Sequence, residues 1–401
     1  MTGASDTTCG EEGAGPRLRI VCSTSVAEAV AIFSRLGEVT CLPEESLTRE
    51  LLAQADVLVT RSKRVIDAGL LDGTPVQFYG TATAGTDHVD TVWLEDRGIA
   101  WTAAPGCNAA SVVDYVLAGL LRLATFRKQS WAGSVLGIVG VGHIGSRLAE
   151  RACALGVRVM LNDPPRQEAG DPGPFVAIDE LLAEADILSL HVPLTDVGIH
   201  ATRGMVNRDW LSRWRKGGVW VNACRGEVVD EAAWREAVRT GHITNSLVDV
   251  YNREPDVDPA MVRSATLATP HIAGYSLEGR VRGTIQVYEA VCRHFHRRPD
   301  PAATWLPGPV ELAFDASVPP SRESVLWHLV SQVYDPFTDA LGTQDTELSP
   351  SGVRDAFLAR RKNYPSRREL GSARISASAL PAPLIEVVRD FGFCVSAEEG
   401  S

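Results

Sequence analysis

The chain has 401 residues, of which 45% are apolar and 22% are charged, as expected for a folded protein of two or more domains and not for a disordered one. Its net charge of −11 does not suit nucleic-acid binding, which requires a basic surface. The sequence contains no run of about 20 apolar residues, so we expect no membrane span. The eight cysteines lack metal-binding spacing. We therefore expect a cytoplasmic protein with reduced thiols, no metal site, and neither nucleic acid nor membrane as a partner.

The N-terminal part of the chain predicts a tail followed by an α/β domain. Residues 1–16 are rich in Gly, Ser, Thr and Glu, lack the features of a signal peptide, and predict a disordered tail. From Arg17 onward strand and helix patterns alternate, which predicts a parallel sheet covered by helices. The predicted strands are 18–22, 56–60 and 76–79, and the predicted helices are 26–36, 86–96 and a long helix from a cap at Asn108 to about residue 126.

The same alternation restarts after the long helix and predicts a second α/β unit at about 117–274. Its strands are predicted at 136–139, 157–161, 187–190, 218–221 and 243–248, and another helix at 277–295 follows the unit. The stretch 297–320 is rich in Pro and Ala and indicates a linker or crossover. The remainder shows no strand–helix–strand rhythm but is long enough for a small third domain.

A glycine-rich turn, Gly140-Val-Gly142-His-Ile-Gly145, joins the first strand of this unit to a helix. In that context Gly140 permits a tight turn, Gly142 lets the backbone approach a pyrophosphate, and Gly145 lets the helix pack on the strand. Asp163 ends the next strand, where a carboxylate binds the ribose hydroxyls and repels a 2′-phosphate. The pattern therefore favours NAD over NADP, although Arg166 leaves NADP open.

Polar residues follow four later strands, at the edge where open α/β sheets bind ligands. Hydride transfer from an alcohol to NAD needs a base for the hydroxyl proton, a partner that orients this base, and a cation for the substrate acid. His271 suits the base, Glu254 the partner and Arg225 the cation. We predict these three as the catalytic residues.

The glycine turn with Asp163, the Arg225 and Glu254 segments, and Thr269-Pro-His-Ile-Ala-Gly274 resemble the D-isomer-specific 2-hydroxyacid dehydrogenases. The resemblance implies the same catalytic roles for Arg225, Glu254 and His271. It also implies a Rossmann-type doubly wound NAD-binding domain inserted in a flavodoxin-like α/β substrate domain, plus a C-terminal α+β dimerisation domain. The corresponding bounds are 17–116 with 275–298 for the substrate domain, 117–274 for the NAD-binding domain and 299–401 for the dimerisation domain.

Segments 80–90, 104–108, 274–284 and 361–364 resemble one branch of this family. Its members oxidise 4-phospho-D-erythronate to (R)-3-hydroxy-2-oxo-4-phosphobutanoate in pyridoxal 5′-phosphate synthesis, which implies NAD, a small phosphorylated 2-hydroxy acid as substrate, and a homodimer. The predicted cofactor contacts, from the glycine turn and the resemblance together, are Gly140, Gly142, His143, Ile144, Gly145, Asp163, the backbone of Val192, Ala223, Asp249 and Gly274. The implied substrate contacts are Ser62, Thr83 and Tyr275. Arg61 to Arg64 form a basic turn that suits a phosphate, which adds Arg61 as a predicted substrate contact, with a solvated surface turn as the alternative.

The chain departs from that branch at Ser23–Ser25, at Lys63-Arg64 and at Tyr251, near the loops that would face substrate or cofactor. Two other functions therefore stay open. One is a dehydrogenase for another D-2-hydroxy acid, such as 3-phosphoglycerate or a small unphosphorylated acid. The other is a non-enzymatic, NAD-sensing protein that acts as a corepressor or scaffold.

Overall fold

The computed structural model describes residues 16–301, 305–342 and 348–397, so the predicted tail lies, apart from Pro16, outside the described residues. The chain divides into two compact units. The first contains the residues up to Asn108 and Glu278–Pro307, and the second contains Ala109–Leu277 and the residues from Gly308 onward. The C-terminal residues therefore pack within the second unit.

The strands of the described residues form three sheets in which all neighbouring strands run parallel. The first sheet contains β1 (Leu18–Ser23), β2 (Gly37–Leu42), β3 (Val57–Thr60), β4 (Phe78–Thr81) and β5 (Ala100–Thr102). The second contains β6 (Val135–Val139), β7 (Arg158–Asn162), β8 (Ile187–Leu190), β9 (Gly218–Asn222), β10 (Ile243–Val248) and β11 (Leu267–Ala268). The third contains β12 (Val310–Glu311), β13 (Ala373–Ser376) and β14 (Cys394–Ser396).

Helices connect these strands, as parallel sheets require. They are α1 (Ala29–Phe33), α2 (Ala68–Leu71), α3 (Thr91–Asp96), α4 (Ala109–Arg127), α5 (His143–Ala152), α6 (Pro164–Glu168), α7 (Ile178–Glu184), α8 (Arg208–Arg213), α9 (Glu231–Arg239), α10 (Pro259–Ser264), α11 (Leu277–His294), α12 (Arg322–Ser331), α13 (Pro350–Lys362) and α14 (Ile385–Phe391). Helix α4 is long and apolar enough to cross a membrane, with a mean hydropathy of 1.5, although we expected no such segment. Its apolar window is 78% buried inside the protein, as in a core helix.

In the first unit the sheet has the order β2-β1-β3-β4-β5. Helix α11 packs directly on β4, because a Cβ atom on Gly80 would lie 2.2 Å from the Val287 side chain. Thr60 and Thr81 pair as the last residues of β3 and β4, so the loops that follow these two strands leave the sheet at the same edge.

In the second unit the sheet has the order β11-β10-β9-β8-β6-β7, so β6 lies between β7 and β8. This is the switch point at which doubly wound sheets bind ligands. The register aligns the last residues of neighbouring strands, namely Asn162, Val139, Leu190, Asn222, Val248 and Ala268. The loops that follow all six strands therefore begin along one edge of the sheet.

Several sequence predictions are confirmed and others are wrong. The strands predicted at 187–190 and 243–248 coincide with β8 and β10, but the helices predicted at 26–36 and 86–96 are reduced to α1 and α3. The expected lack of a strand–helix–strand rhythm near the C-terminus is wrong, because β13, α14 and β14 form such a unit. Strands β13 and β14 contain partly or fully exposed residues and, unlike the similarly short β8, form no continuous buried apolar run that the sequence could show.

Candidate active site

The glycine turn after β6 lies at the switch point of the second sheet. Gly140 has a φ of +88°, and a Cβ atom there would lie 2.6 Å from the backbone of His191, so the turn requires glycine. Gly142 is the N-cap of α5, and a Cβ atom there would meet nothing within 4 Å. An open backbone at a helix N-terminus fits the pyrophosphate of a dinucleotide.

The other predicted cofactor residues lie in segments that leave the second sheet at the same edge. His143, Ile144 and Gly145 form the first turn of α5, and a Cβ atom on Gly145 would lie 2.1 Å from the Gly140 oxygen. Val192, Ala223, Asp249 and Gly274 belong to the segments that follow β8, β9, β10 and β11. The backbone N of Val192 would lie 2.8 Å from a Cβ atom on Gly140, which puts Val192 directly beside the turn.

Asp163 follows β7 and caps α6. Its Oδ2 accepts a hydrogen bond from the backbone N of Val141 at 2.8 Å, and its Oδ1 accepts one from the backbone N of Arg166 at 3.1 Å. The guanidinium of Arg166 is already paired with Asp171 and also donates to the Val141 oxygen. A 2′-phosphate would therefore meet the Asp163 carboxylate and an arginine whose charge is compensated, so this site fits NAD better than NADP.

His271 and Glu254 form a hydrogen-bonded pair, with Nδ1 of His271 2.6 Å from Oε2 of Glu254. His271 has a φ of +54°, which is uncommon for a residue other than glycine. Its backbone N donates to the oxygens of Asp249 at 2.8 Å and Thr269 at 3.1 Å, and these bonds hold the strained conformation. The His271 side chain is 35% exposed, so a small substrate can reach it.

The charge state of Glu254 decides which nitrogen of His271 is free. Burial alone would raise the pKa of the Glu254 carboxyl, but His271, the backbone N of Tyr251 and the Arg361 guanidinium outweigh burial and lower it. An ionised carboxylate can only accept, so Nδ1 of His271 must carry a proton. This leaves Nε2 of His271 as the free base.

Arg225 follows β9 in a loop that packs against the Glu254 segment. A Cβ atom on Gly226 would lie 2.0 Å from the backbone of Tyr251, and the backbone N of Tyr251 donates to Oε1 of Glu254 at 2.9 Å. The Arg225 side chain is half-buried, and its Nη1 donates to the Cys224 oxygen at 2.8 Å. The structure thus brings the three predicted catalytic residues into adjoining loops of one unit.

Asp249 is buried beneath these loops. Its carboxylate accepts hydrogen bonds from Oγ1 of Thr269 at 2.6 Å and from the backbone N atoms of Ile272 and Ala273, each at 2.8 Å. Burial raises its pKa to about 6, although the His271 charge and these donors oppose the rise. The structure gives Asp249 the task of fixing the loop that carries His271, and its contact with the cofactor stays a prediction.

The predicted substrate residues lie in both units. Arg61 and Ser62 follow β3 and Thr83 follows β4, so all three lie in loops that leave the first sheet at one edge. Thr83 Oγ1 lies 2.7 Å from Oγ1 of Thr81 and donates to the Gly85 oxygen at 3.0 Å. Tyr275 belongs to the second unit, where its hydroxyl oxygen accepts a hydrogen bond from Arg361.

Three residues near these sites were missed as site residues by sequence reasoning. Glu44 is 1% exposed and accepts hydrogen bonds from the backbone N atoms of Arg61 and Lys63 at 3.1 and 3.2 Å. His191, beside the glycine turn, is neutral because burial lowers its pKa to about 3. The third is Arg361. Two of the three had a signal in the sequence, because His191 directly follows the strand predicted at 187–190 and Arg361 lies in the 361–364 resemblance. Glu44 lies in a polar turn that reads as solvated.

Known proteins resemble this chain in sequence and in structure. Residues 112–273 match the family described as D-isomer specific 2-hydroxyacid dehydrogenase, NAD binding domain. The erythronate-4-phosphate dehydrogenase of Azotobacter vinelandii is 43% identical over 379 residues, which is 94% of this chain and 99% of that relative. The enzyme of the same name from Klebsiella pneumoniae is 41% identical over 379 residues, 94% of this chain and 98% of that relative.

A solved structure supports the fold. The NAD-bound 3-phosphoglycerate dehydrogenase of Entamoeba histolytica has a TM-score of 0.60 at 24% identity and covers 70% of this chain and 96% of its own. That likeness concerns the fold, whereas the sequence matches extend over almost the whole chain. The chain is an NAD-dependent dehydrogenase and belongs to the erythronate-4-phosphate dehydrogenases, within the D-isomer-specific 2-hydroxyacid dehydrogenase family.

Proposed function

We propose that this chain oxidises 4-phospho-D-erythronate to (R)-3-hydroxy-2-oxo-4-phosphobutanoate, a step in the synthesis of pyridoxal 5′-phosphate (vitamin B6). The proposal is supported by relatives that carry the name of this substrate at 41% and 43% identity. The observation that carries it is the 2.6 Å hydrogen bond between His271 and Glu254 in a loop that adjoins Arg225. This arrangement supplies a base with its partner and a nearby cation.

Each of the three residues has a distinct task. Nε2 of His271 takes the proton of the C2 hydroxyl, and Glu254 stabilises the imidazolium that forms. The planar guanidinium of Arg225 binds the substrate carboxylate and polarises the oxygen on C2. Bound NAD would supply the acceptor for the hydride of C2, so that oxidation would remove one hydride from C2 and one proton from its hydroxyl.

The remaining predicted residues bind the two reactants. We assign NAD to Gly140, Gly142, His143, Ile144, Gly145, Asp163, Val192, Ala223, Asp249 and Gly274. We assign the substrate to Arg61, Ser62, Thr83 and Tyr275. The net charge of −11 means that a phosphorylated acid must be attracted by a local cation, and Arg61 and Arg225 can supply one each.

We also propose a cytoplasmic homodimer, with residues 299–401 in the dimer interface. The cysteines of the described ranges are free thiols, which suits a reducing compartment. Sedimentation analysis of the purified protein tests the dimer, and a monomer at micromolar concentration would contradict it.

A substrate panel with purified protein tests the reaction. The panel contains 4-phospho-D-erythronate, D-3-phosphoglycerate and D-lactate, each with NAD, and turnover is measured by the absorbance of NADH. Each assay is repeated with a 2-oxo acid added as electron acceptor. We expect the highest kcat/KM for 4-phospho-D-erythronate. We also expect a loss of about 10²-fold or more in His271→Asn, with NAD affinity retained.

Two results would overturn the assignment. A preference for D-3-phosphoglycerate would make the chain a dehydrogenase of another phosphorylated acid. Binding of NAD without turnover of any 2-hydroxy acid, with or without the acceptor, would favour a sensor protein.

A further inference from the structure

The loop that follows His271 is held by the C-terminal segment 361–369. Arg367 donates to the Ala273 oxygen at 3.2 Å, and the backbone N of Leu277 donates to the Arg367 oxygen at 2.8 Å. Both bonds involve backbone groups of the loop and fix its path. They do not touch a residue with a proposed chemical role.

Arg361, on the last turn of α13, contacts side chains that do have such roles. Its Nη2 donates to the Tyr275 hydroxyl oxygen at 2.8 Å, and its Nε lies 3.3 Å from the same atom. Its Nη1 lies 3.9 Å from Oε2 of Glu254, which is also the oxygen bonded to Nδ1 of His271. One guanidinium thus reaches both a proposed substrate contact and the catalytic pair.

The Arg361 side chain is held between aromatic rings. Its Cζ lies 5.5 Å from the ring centroids of both Tyr275 and Phe357, and the Tyr275 ring packs edge-on against Tyr364. The side chain is 28% exposed. An exposed ion pair would be weak and variable in geometry, whereas this guanidinium is partly desolvated and constrained on two sides.

We propose that Arg361 is a positioning residue of the active site. It holds the Tyr275 hydroxyl in place and puts a positive charge against the Glu254 oxygen that faces His271. The proposal rests on the proposed function, which gives Tyr275, Glu254 and His271 their roles.

The contact with Arg361 sets the direction in which Tyr275 can donate. Its hydroxyl oxygen accepts from Arg361, so its own proton must point to another acceptor. A carboxylate or phosphate oxygen of the substrate is such an acceptor. Loss of the guanidinium would remove this constraint on the hydroxyl and would weaken substrate binding.

The charge of Arg361 affects the proton affinity of the Glu254–His271 pair. The charges that act on Glu254 come from His271 and Arg361, and the backbone N of Tyr251 also donates to Glu254. The charge of His271 also acts on the buried Asp249. A nearby cation makes the pair bind a proton less tightly. Arg361 therefore lowers the pKa of the Glu254 carboxyl and, with it, the proton affinity of the pair.

The test compares Arg361→Met, which removes the charge, with Arg361→Lys, which keeps the charge but loses the planar guanidinium and its several N–H donors. Lys362→Met is the matched control, because it removes a charge from the exposed neighbouring residue of the same helix. We expect Arg361→Met to raise KM and to move the acid limb of kcat/KM upward by about 0.5 pH unit. Arg361→Lys should raise KM and leave the limb in place, and the control should change neither.

A measurement in a double variant separates positioning from a merely structural role. If Arg361 acts on substrate through Tyr275, then Arg361→Lys in a Tyr275→Phe background should raise KM less than about twofold. Additive effects on KM, or an acid limb that stays in place in Arg361→Met, would overturn the proposal.

The pair can also be titrated without a substrate. The imidazole carbon signals of His271 in the free protein should show a higher titration midpoint in Arg361→Met than in Lys362→Met. An unchanged midpoint would overturn the electrostatic role of Arg361. Since this measurement needs no turnover, it stays informative if the substrate panel contradicts the proposed reaction.

Discussion

Glu254 is a carboxylate that stays ionised although its side chain is only 19% exposed. Burying a charge is expensive unless partners compensate for it. Here the compensation comes from the His271 imidazole, the backbone N of Tyr251 and the more distant Arg361. Tyr251 lies in the same loop as Glu254, His271 follows β11 and Arg361 lies on α13, so the pair depends on the correct placement of several elements.

Glu254→Gln tests this pair directly. The neutral amide no longer stabilises the imidazolium, so we expect kcat to fall by about 10²-fold and the acid limb of kcat/KM to move to lower pH. The direction follows because a carboxylate raises the proton affinity of its partner, and its removal lowers that affinity. Rates measured between about pH 5 and pH 9 show the shift. Glu236→Gln, which changes a surface pair with Arg239, is the control and should leave both values unchanged.

Asp163 combines a helix cap with a proposed ribose contact, and two substitutions separate these tasks. Asp163→Asn keeps an oxygen for the cap and removes the charge, whereas Asp163→Ala removes both. We expect both variants to lower the ratio of NAD to NADP kcat/KM by about tenfold, because repulsion of the 2′-phosphate is lost. Asp163→Ala loses both accepting oxygens and should lose about 1 kcal/mol of stability, and Asp163→Asn, which keeps one of them, should lose less. A ratio that stays the same in both would mean that the ribose is bound elsewhere.

The sequence predicts Arg225, Glu254 and His271 because each follows a recognisable buried strand. Parallel strands that are paired in register bring their carboxyl ends to one edge, so residues far apart in sequence meet there. Arg361 follows no strand of that sheet. Its contact with Glu254 depends on how α13 packs in the second unit, and strand-end spacing contains no information about that packing.

The glycine turn shows how one element meets two separate requirements. Gly140 is required by the fold, because its φ is positive and the His191 backbone fills the space beside it. Gly142 has a negative φ and open space where a side chain would lie, so the fold does not require glycine there. The approach of a ligand to the backbone is the physical reason that remains.

Gly140→Ala and Gly142→Ala should therefore have opposite effects. We expect Gly140→Ala to lower Tm by several degrees, since the new Cβ meets backbone atoms that cannot move aside. Gly142→Ala should leave Tm nearly unchanged and weaken NAD binding by about tenfold or more. Calorimetric titration with NAD and thermal unfolding without it measure the two effects. Full NAD affinity in Gly142→Ala would show that the pyrophosphate does not approach this turn.

Buried strands are the elements that the sequence predicts best. Strand β8 is buried along its whole length and reads as a short, mostly apolar run between Asp186 and His191. Strand β10 is buried at five of its six positions, although Thr, Asn and Ser occupy three of the six. Helix α1 is shorter than predicted because Glu28, at its N-terminus, has a φ of 53° and interrupts the helical spacing. Local conformation of this kind leaves no trace in an apolar pattern.

At the scale of the whole molecule, the C-terminal residues share a core with the nucleotide-binding sheet. Leu329 of α12 and Phe391 of α14 are buried in the same apolar cluster as Leu121 of α4 and Leu136 of β6. The first unit has a separate cluster that includes Leu58 of β3. A substitution in α12 should therefore destabilise the NAD-binding sheet and not only its own segment.

Leu329→Ala tests this shared core. Removing a fully buried leucine side chain costs about 2–5 kcal/mol, so amides of β6 and α4 should exchange with deuterium at least about tenfold faster. Leu58→Ala is the matched control, because Leu58 is equally buried and belongs to the cluster of the first unit. Leu58→Ala should speed hydrogen exchange in the first sheet and leave the exchange rates of β6 unchanged, because it removes no packing contact from β6.

The location of the faster exchange decides between two arrangements. If Leu329→Ala speeds exchange in β6 and α4 as well as in α12, the C-terminal residues and the NAD-binding sheet unfold as one cooperative unit. Faster exchange confined to residues 308–397 would instead mean that these residues open independently. The NAD-binding sheet would then keep its stability without them, and the shared apolar cluster would contribute little to it.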